Sequence, residues 1–540
     1  MSDETYRNYF LDPTGENLES LLDTTLKAVK ALGIWWKGAD AKVSASDLRQ
    51  KKKELEEFIK THHFNDNYSQ VKELLFRIME NVRFNRKNFI NIHPPPFLPA
   101  VLASFLVSIQ NPNNITENVS PATTIMEKEC IEFYTRLIGY PSEAWGTLVC
   151  DGTLGNLTAI LVARDDKYQR MAGNQKMVIG IEGLYSRQPG VILTTANVHY
   201  SIEKGMWILG IGTRNLIKIP VAIDERHFQE AGLLENDRFE IFKNLHPEYE
   251  IEIEKFYNHE QEPFSLLPRK EDFVKCLETL SKENIPIIAI LLTAGTTQTG
   301  TLENISELIE LKTKYEMYFH VDAAIGGYAL CVPEIKERLR GIEESDSVTI
   351  DGHKLGFVHY PCAAILFRKQ IYKELIEHSA PYLHVLSPTI EGSRPGTSAA
   401  ACWLAHDILT TKGYQTIIEK LLNQTRYLAK CLKEENHYQI YHKIDLNTIV
   451  FGLNNLNLPR KKINQWNLEV AARLNRKGSF FVNTIQNLSD IKVRNSPSEK
   501  NSELVNIQGI RILIMNPFTD DTVINEFISE LNQQRKKVIQ

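Results

Sequence analysis

Ser347-Val348-Thr349-Ile350-Asp351-Gly352-His353-Lys354-Leu355-Gly356 is a short β-branched run that ends in Asp-Gly. Such a run reads as a buried strand breaking into a turn, and the turn delivers a histidine and then a lysine at its mouth. Packing explains a lysine there poorly. At the carboxyl end of an interior strand, where open α/β sheets place their ligands, partial desolvation can lower an amine's pKa enough for it to form an imine. Lys354 is therefore a Schiff-base candidate, although a His-Lys pair after a strand also reads as a solvated turn.

Outward from this stretch, residues 100 to about 370 repeat the same plan. Strand candidates are Thr147 to Cys150, Val191 to Thr194, Leu216 to Val221, Ile287 to Thr293, Met317 to Val321, Val348 to Ile350 and Ala363 to Phe367, separated mostly by helical stretches. Apolar strands in that alternation predict an α/β fold with a mainly parallel sheet of about seven strands, covered by helices on both faces.

An electron-accepting cofactor on Lys354 of the pyridoxal phosphate kind would need three further things. Its ring nitrogen must stay protonated, which calls for a carboxylate; its phosphate needs a cradle; its ring needs something flat above it. The carboxylate candidate is Asp322, in Tyr318-Phe319-His320-Val321-Asp322-Ala323-Ala324-Ile325-Gly326-Gly327, 32 residues before Lys354. That separation leaves room for one helix and one strand of a βαβ unit. The cradle candidate is Asp151-Gly152-Thr153-Leu154-Gly155-Asn156, which follows a strand and opens a helix over Leu157 to Arg164. Backbone N–H groups at a helix start, with the Thr153 hydroxyl, suit a dianion. The flat partner is His199, in Thr195-Ala196-Asn197-Val198-His199-Tyr200-Ser201. Each also has a bland reading, as a helix cap, a turn and a surface loop. Yet Thr153, His199, Thr293, Asp322 and Lys354 all fall at or just past strand ends, and that shared address argues for one site.

The ordered set Asp-Gly-Thr-x-Gly-Asn, Asn-x-His-Tyr-Ser, Thr-Ala-Gly-Thr-Thr (Thr293 to Thr297), His-Val-Asp-Ala-Ala and Asp-Gly-His-Lys resembles the group II pyridoxal-phosphate amino-acid decarboxylases over roughly residues 7 to 440. Within that family the likeness is to bacterial and archaeal tyrosine decarboxylases, carried by Asn8-Tyr9-Phe10 with Gly15-Glu16-Asn17, Ser120 to Glu127, Gly352-His353-Lys354 with Tyr360-Pro361, and Glu391-Gly392-Ser393-Arg394-Pro395-Gly396. The resemblance implies a fold-type I enzyme, a homodimer, pyridoxal 5'-phosphate as cofactor and an L-amino acid as substrate. It also implies roles. His199 stacks on the ring, Gly152 and Thr153 hold the phosphate with help from His353, and Thr293 and Ala324 shape the pocket. Ser393 and Arg394 are phosphate or interface residues, and His93 and Phe97 meet the substrate side chain. Tyr382 stands close to where such enzymes carry a loop tyrosine, so a phenol there would return a proton to Cα; Tyr360 and Tyr372 are also within reach of that argument.

Two other readings stay open. Ser387-Pro388-Thr389-Ile390 with Gly392 to Gly396 is similar to sphingosine-1-phosphate lyase, a C–C lyase using the same cofactor; the third reading is a non-catalytic protein that retains the fold. Departures from the tyrosine-decarboxylase pattern, His93 with three prolines and Cys362-Ala363-Ala364, fall where a side chain would be read.

At 540 residues and 43% apolar content the chain is long enough for a large α/β domain with smaller flanking units. The expected division is a helical segment to residue 100, the cofactor domain over 101–396 and a small α+β domain over 397–540. A net charge of −5 from 62 basic and 67 acidic residues carries no nucleic-acid or membrane signature. An N-terminus without an apolar core segment adds to the expectation of a cytoplasmic protein. Seven cysteines, odd in number and never in CxxC spacing, predict reduced thiols and no zinc site.

Near the N-terminus, Leu18, Leu21, Leu22, Leu26, Val29 and Leu32 form a one-faced stripe that should stop at Gly33 and must cover something; by resemblance, the partner subunit. Leu48 to His62 reads as a charged surface helix, and Ile90 to Pro99 as an extended path stiffened by prolines. Residues 224–268 read as a surface insertion, Lys369 to His378 as a short helix, and Asn495 to Ser502 as a loop between C-terminal strands and helices.

Overall fold

The computed structural model describes residues 18–36, 45–62, 71–78, 85–173, 189–219, 221–224, 227–228, 266–377, 388–454, 458–489, 492–495 and 503–539. Seven strands form the central sheet: β1 (Trp145–Val149), β2 (Val191–Thr195), β3 (Leu216–Ile219), β4 (Ile287–Thr293), β5 (Tyr318–Asp322), β6 (Ser347–Asp351) and β7 (Ala363–Phe367). Their spatial order is β1-β7-β6-β5-β4-β2-β3, and β7 alone runs against the others. The expected α/β fold is therefore present, with each predicted strand within two residues of its place.

Both faces of the sheet are covered, which is why its strands read as continuous apolar runs instead of alternating ones. Ala363, Ile365 and Phe367 of β7 enter one core cluster, while Ala364 and Leu366 enter the other. Each fully buried Ile, Leu or Phe contributes about 1.5–3 kcal/mol of transfer free energy. On one face lies the helix Gly152–Met171, seated against β6: a Cβ on Gly155 would meet Thr349 Cγ2 at 2.8 Å, and one on Gly152 would meet Asp351 Oδ1 at 2.9 Å. Neither glycine is needed for an unusual φ; both are needed for close approach.

The parallel register brings the functional ends together. Thr293 pairs with Asp322, and Asp322 with Thr349, across β4, β5 and β6. Because β7 is antiparallel, its first residue, Ala363, pairs with Asp351 at that same edge.

A helix Gly396–Glu434, broken at Thr410 where φ is 53°, leads into a four-stranded antiparallel sheet of β8 (Tyr438–Ile440), β9 (Thr448–Leu453), β10 (Asn483–Ile485) and β11 (Gly509–Leu513), in the order β8-β9-β11-β10. Helices Arg460–Lys477 and Asp521–Ile539 pack with it. The Arg511 guanidinium donates to the carbonyls of Thr297 and Gln298, tying this unit to the loop after β4.

Two local expectations change. The first helix, Leu18–Trp36, passes through Gly33, since one glycine costs a helix interior only about 1 kcal/mol. Its buried positions are Thr24 and Ala31, while Leu22, Leu26 and Val29 of the apolar stripe face outward. Residues Gln370–Leu375 form a 3-10 helix, with Tyr372 buried and its phenol donating to Asp346 Oδ1 at 2.7 Å. Most of the 224–268 insertion, and all of 496–502, lie outside the described residues. No helix among the described residues is long and apolar enough to cross a membrane.

Candidate active site

β6 ends at Asp351, and the turn that follows carries Lys354 with its Nζ 2.8 Å from Asp351 Oδ2. His353 Nε2 lies 3.3 Å from the same oxygen, and its Nδ1 donates to the Cys362 carbonyl at 2.7 Å. Burial would lower the Lys354 pKa, but Asp351 at contact distance, with Asp322 and Tyr360 further off, holds it above the usual lysine range. The sequence argument expected desolvation to prevail; here the carboxylate three residues away outweighs it. Burial acts on the Asp351 carboxyl in the raising direction, and Lys354 and His353 together pull it below its ordinary value.

Asp322 closes β5, buried, with its two oxygens held by different donors. Oδ1 accepts from the Ala324 amide at 3.1 Å and Oδ2 from Asn156 Nδ2 at 2.7 Å. Asn156 is the hub of a longer chain. Its amide nitrogen also donates to Ser201 Oγ at 3.0 Å, and that hydroxyl meets His199 Nδ1 at 2.8 Å. Its carbonyl oxygen accepts from His320 Nε2 at 3.0 Å, and His320 Nδ1 meets Ser347 Oγ at 2.7 Å. Burial pulls His320 down to about 3, so the ring is neutral and can accept from Ser347 while donating to Asn156. His199 and Asp322, predicted separately, are thus joined through Ser201 and Asn156. Burial also lowers the His199 pKa, with Lys354 acting in the same direction against Asp322, Asp351 and Asp151.

Thr293 closes β4. Its hydroxyl is buried without a partner, and its amide donates to Glu303 Oε2 at 2.7 Å. Glu303 is fully buried and also accepts from the Thr195 hydroxyl at the end of β2. Burial pushes this carboxyl up to about 7, Asp322 adds to the rise, and the donors on Thr195, Thr293 and Asn197 oppose it.

The cradle is the start of the helix Gly152–Met171, capped by Asp151, whose side chain accepts from the Leu154 amide at 2.9 Å. First-turn amides of a helix have no partners within it, and Thr153 stands in that turn, half-buried. Asp351 Oδ1, unpartnered and buried, faces Gly152. The donor set fits pyridoxal phosphate: free amides for a dianion, an anchored acid at Asp322 for a pyridine nitrogen, a flat ring at His199 and an amine at Lys354.

At the mouth, Tyr360 stacks on His353 with ring centroids 3.8 Å apart, and His93 meets Tyr360 edge-on at 5.4 Å. Phe97 donates its amide to the Phe357 carbonyl at 2.7 Å, so both predicted side-chain readers stand beside the lysine turn. Burial lowers the His93 pKa, and His353 lowers it further. Ala324 is buried next to Asp322. With both nitrogens of His353 engaged inside the protein, the ring as placed offers none to a phosphate. Ser393 is exposed and accepts from Asn113 Nδ2 at 2.9 Å; Arg394 is buried, paired with Glu127 and donating to the carbonyls of Leu148 and Asn114. Tyr372 is anchored at the opposite end of the sheet, beside Asp346. Tyr382 lies outside the described residues.

The residues not assigned a role from sequence are Asp351, Asn156 and Glu303. Asp351 carries a local signal, its i, i+3 spacing to Lys354. Asn156 and Glu303 carry none, because their partners come from other strands.

A family profile described as "Pyridoxal-dependent decarboxylase conserved domain" matches residues 60–236 and 266–454. Among curated proteins, L-2,4-diaminobutyrate decarboxylase of Acinetobacter baumannii is 23% identical over 463 residues, covering 82% of this chain and 81% of that one. L-tyrosine decarboxylase of Enterococcus faecium is 25% identical over 430 residues, 64% of this chain and 63% of that one. A probable L-aspartate decarboxylase of Thermococcus gammatolerans is 25% identical over 405 residues, 72% of this chain and 86% of that one. Two solved structures superpose with TM-scores of 0.74: the glutamate decarboxylase domain of a Vibrio parahaemolyticus transaminase–decarboxylase, 16% identical and covering 99% of this chain and 100% of that one, and Oryza sativa TDC with PLP and tryptamine, 14% identical and covering 98% and 100%. At those identities the likeness is one of fold.

Proposed function

The chain belongs to the pyridoxal-dependent decarboxylase family, and from that premise we propose that its substrate is an aromatic L-amino acid, tyrosine first, converted to the amine. The coarser statement needs no proposal: this is a pyridoxal-phosphate carboxy-lyase acting on amino acids. The observation that carries the finer reading is the mouth of the site. His93, Tyr360 and Phe97 are flat groups beside the lysine turn, two of them meeting edge-on, and a ring-bearing side chain would extend that packing. A dicarboxylic substrate would instead call for a fixed cation, and the nearby Arg394 is already committed to Glu127.

Bound pyridoxal phosphate supplies a protonated ring into which the electrons of the breaking Cα–carboxylate bond are drawn. The chain's own groups do the rest. Asp322, fixed by Ala324 and Asn156, would hold the proton on the ring nitrogen of bound cofactor. His199, fixed by Ser201, would stack on that ring, and Gly152, Thr153 and the helix amides would take the phosphate; Asp351 positions Lys354. Thr293 offers its unpartnered hydroxyl to the same space. Tyr382 is the proposed donor that returns a proton to Cα. Tyr382→Phe should then divert product from amine to carbonyl compound, and a wild-type amine yield from that variant would move the role to another phenol, Tyr360 first.

The dimer belongs to this reading too. The apolar side chains Leu98, Leu102 and Leu106 on the helix Leu98–Ser108 are exposed in a single chain, as are Leu22, Leu26 and Val29. A second copy is the occupant that the family resemblance supplies.

The deciding experiment is CO₂ release from a panel of L-amino acids with holoenzyme and with Lys354→Ala. The expected result is tyrosine ahead of aspartate, glutamate and diaminobutyrate by about a hundredfold or more in kcat/KM, and no turnover from the variant. Preference for aspartate or diaminobutyrate would overturn the substrate and leave the decarboxylase standing.

A further inference from the structure

Behind the lysine turn, on the face of β6 and β7 away from the helix Gly152–Met171, the fold gathers three of its seven cysteines. Cys130 comes from the helix Pro121–Ile138, Cys402 and His406 from the helix Gly396–Glu434, and Cys362 from the residue before β7. One ligand atom each from Cys130, Cys402 and His406 lie within 4.8 Å of one another, all three residues buried. Cys362, also buried, lies close enough for its thiol to interact with Cys402. We propose that Cys130, Cys402 and His406 form a buried three-ligand site for a single cation of the zinc class.

Geometry supports the assignment. A tetrahedral ion with Zn–S of about 2.3 Å and Zn–N of about 2.0–2.1 Å sets sulfur and nitrogen about 3.6 Å apart. Cys402 Sγ and His406 Nε2 are 3.5 Å apart. Their i, i+4 spacing puts both on one helical face, the same device by which two histidines one turn apart chelate a metal. Thiolate with imidazole is a donor set that selects zinc over the harder magnesium or calcium.

The bland alternative is a polar network that satisfies itself. Tyr134 and Tyr328 share a hydrogen bond of 2.7 Å, Tyr328 meets His406 Nε2 at 2.8 Å, and Tyr134 meets Cys402 Sγ at 3.3 Å. That network does not explain why two thiols from separate helices converge on one imidazole. If an ion takes Nε2, the Tyr328 hydroxyl still has Tyr134, and Cys402 Sγ at 4.0 Å, to turn to.

The site would act on the active site by bracing it. The Cys362 carbonyl accepts from both the amide and Nδ1 of His353, at 3.1 and 2.7 Å, and a Cβ on Gly352 would lie 2.7 Å from Cys362 Sγ. Cys362 neighbours Cys402, so an ion held by Cys402 sits directly behind the floor of the turn that carries Lys354.

A site this enclosed fills as the chain folds, so metal content should be measured on protein purified from zinc- or cobalt-supplemented culture. Elemental analysis should find about one equivalent per chain, reduced about tenfold or more in Cys402→Ala and in Cys130→Ala, and unchanged in Cys150→Ala, whose thiol is exposed. Cobalt-grown protein should show d–d bands to the red of the cofactor's absorption, lost in His406→Gln. Wild-type protein that carries neither metal would overturn the proposal without recourse to any variant. So would metal that stays at wild-type level in folded Cys402→Ala and Cys130→Ala.

Discussion

In the proposed reading Asp322 has one job that its neighbours make possible, to keep a proton on a ring nitrogen. The Ala324 amide and Asn156 hold both of its oxygens in place, and Asn156 is in turn held by Ser201 and His320. Replacing it by asparagine keeps the shape and removes the charge. Asp322→Asn should retain bound cofactor while kcat falls about a thousandfold, roughly 4 kcal/mol of lost transition-state stabilisation; a fall under about tenfold in steady-state CO₂ release would mean that the ring does not depend on this acid. Glu303, one strand away, makes a different prediction. Its folded pKa is raised to about 7 from 4.5, so the folded state binds its proton more tightly than the unfolded state does. Stability must then fall as pH rises from about 4.5 through 7, by an amount on the order of 3 kcal/mol. Glu303→Gln should flatten that slope in urea melts across the window; an unchanged slope would assign the wild-type pH dependence to other groups. At this scale the sequence placed Lys354, Asp322 and His199 at or just past strand ends, where the structure also puts them. It was silent on Asn156 and Glu303, whose meaning depends on which strands become neighbours. It also missed the ion pair of Lys354 with Asp351, which was read as part of a turn and not as a counter-ion.

Elements place these residues through two kinds of contact, the strand register and the seat of the helix Gly152–Met171 on β6. The register could be anticipated, since alternating strands and helices force parallel pairing with the carboxyl ends on one edge. The seat could not, because nothing in Asp-Gly-Thr-Leu-Gly-Asn says what lies beneath its glycines. Gly155 rests on Thr349, and a methyl group there must displace either the helix or the strand. Gly155→Ala should therefore cost about 1–3 kcal/mol in urea unfolding and should weaken pyridoxal phosphate binding more than its stability loss explains, since the helix start carries the phosphate amides. Equal cofactor affinity, measured by titration of apoprotein, would show that the seat is only structural. The same limit applies to the cysteines. Spacing along the chain detects ligands on one loop, and it cannot detect Cys130, Cys362 and Cys402, which three elements carry to one place.

For the molecule as a whole, the helix Leu98–Ser108 decides whether one chain suffices. Its inward face is small, with Ala100 and Ala103 buried, which lets it lie close to the rest of the domain. Its outward face carries Leu98 at 76%, Leu102 at 54% and Leu106 at 54% exposure, spaced by one turn each. Scattered exposed leucines are ordinary on a surface, but a row along one helix, in a chain whose first helix also turns Leu22, Leu26 and Val29 outward, is a surface built to be covered. The stripe on that first helix was legible as periodicity; that it faces away from its own domain was not, because an apolar face reads the same whichever partner it meets. The helix Leu98–Ser108 begins immediately after Phe97, whose amide is tied to Phe357 near Lys354, so covering it would also fix the edge of the pocket. Leu102→Glu puts a charge at the centre of the row, where a dimer would have to bury it unpaired. Light scattering should give twice the chain mass for wild-type protein and the chain mass for the variant at the same micromolar concentration, with kcat/KM lowered by about tenfold or more as Phe97 loses its support. A wild-type protein that scatters as a monomer at working concentration would remove the second copy from the site and leave this face to a different partner.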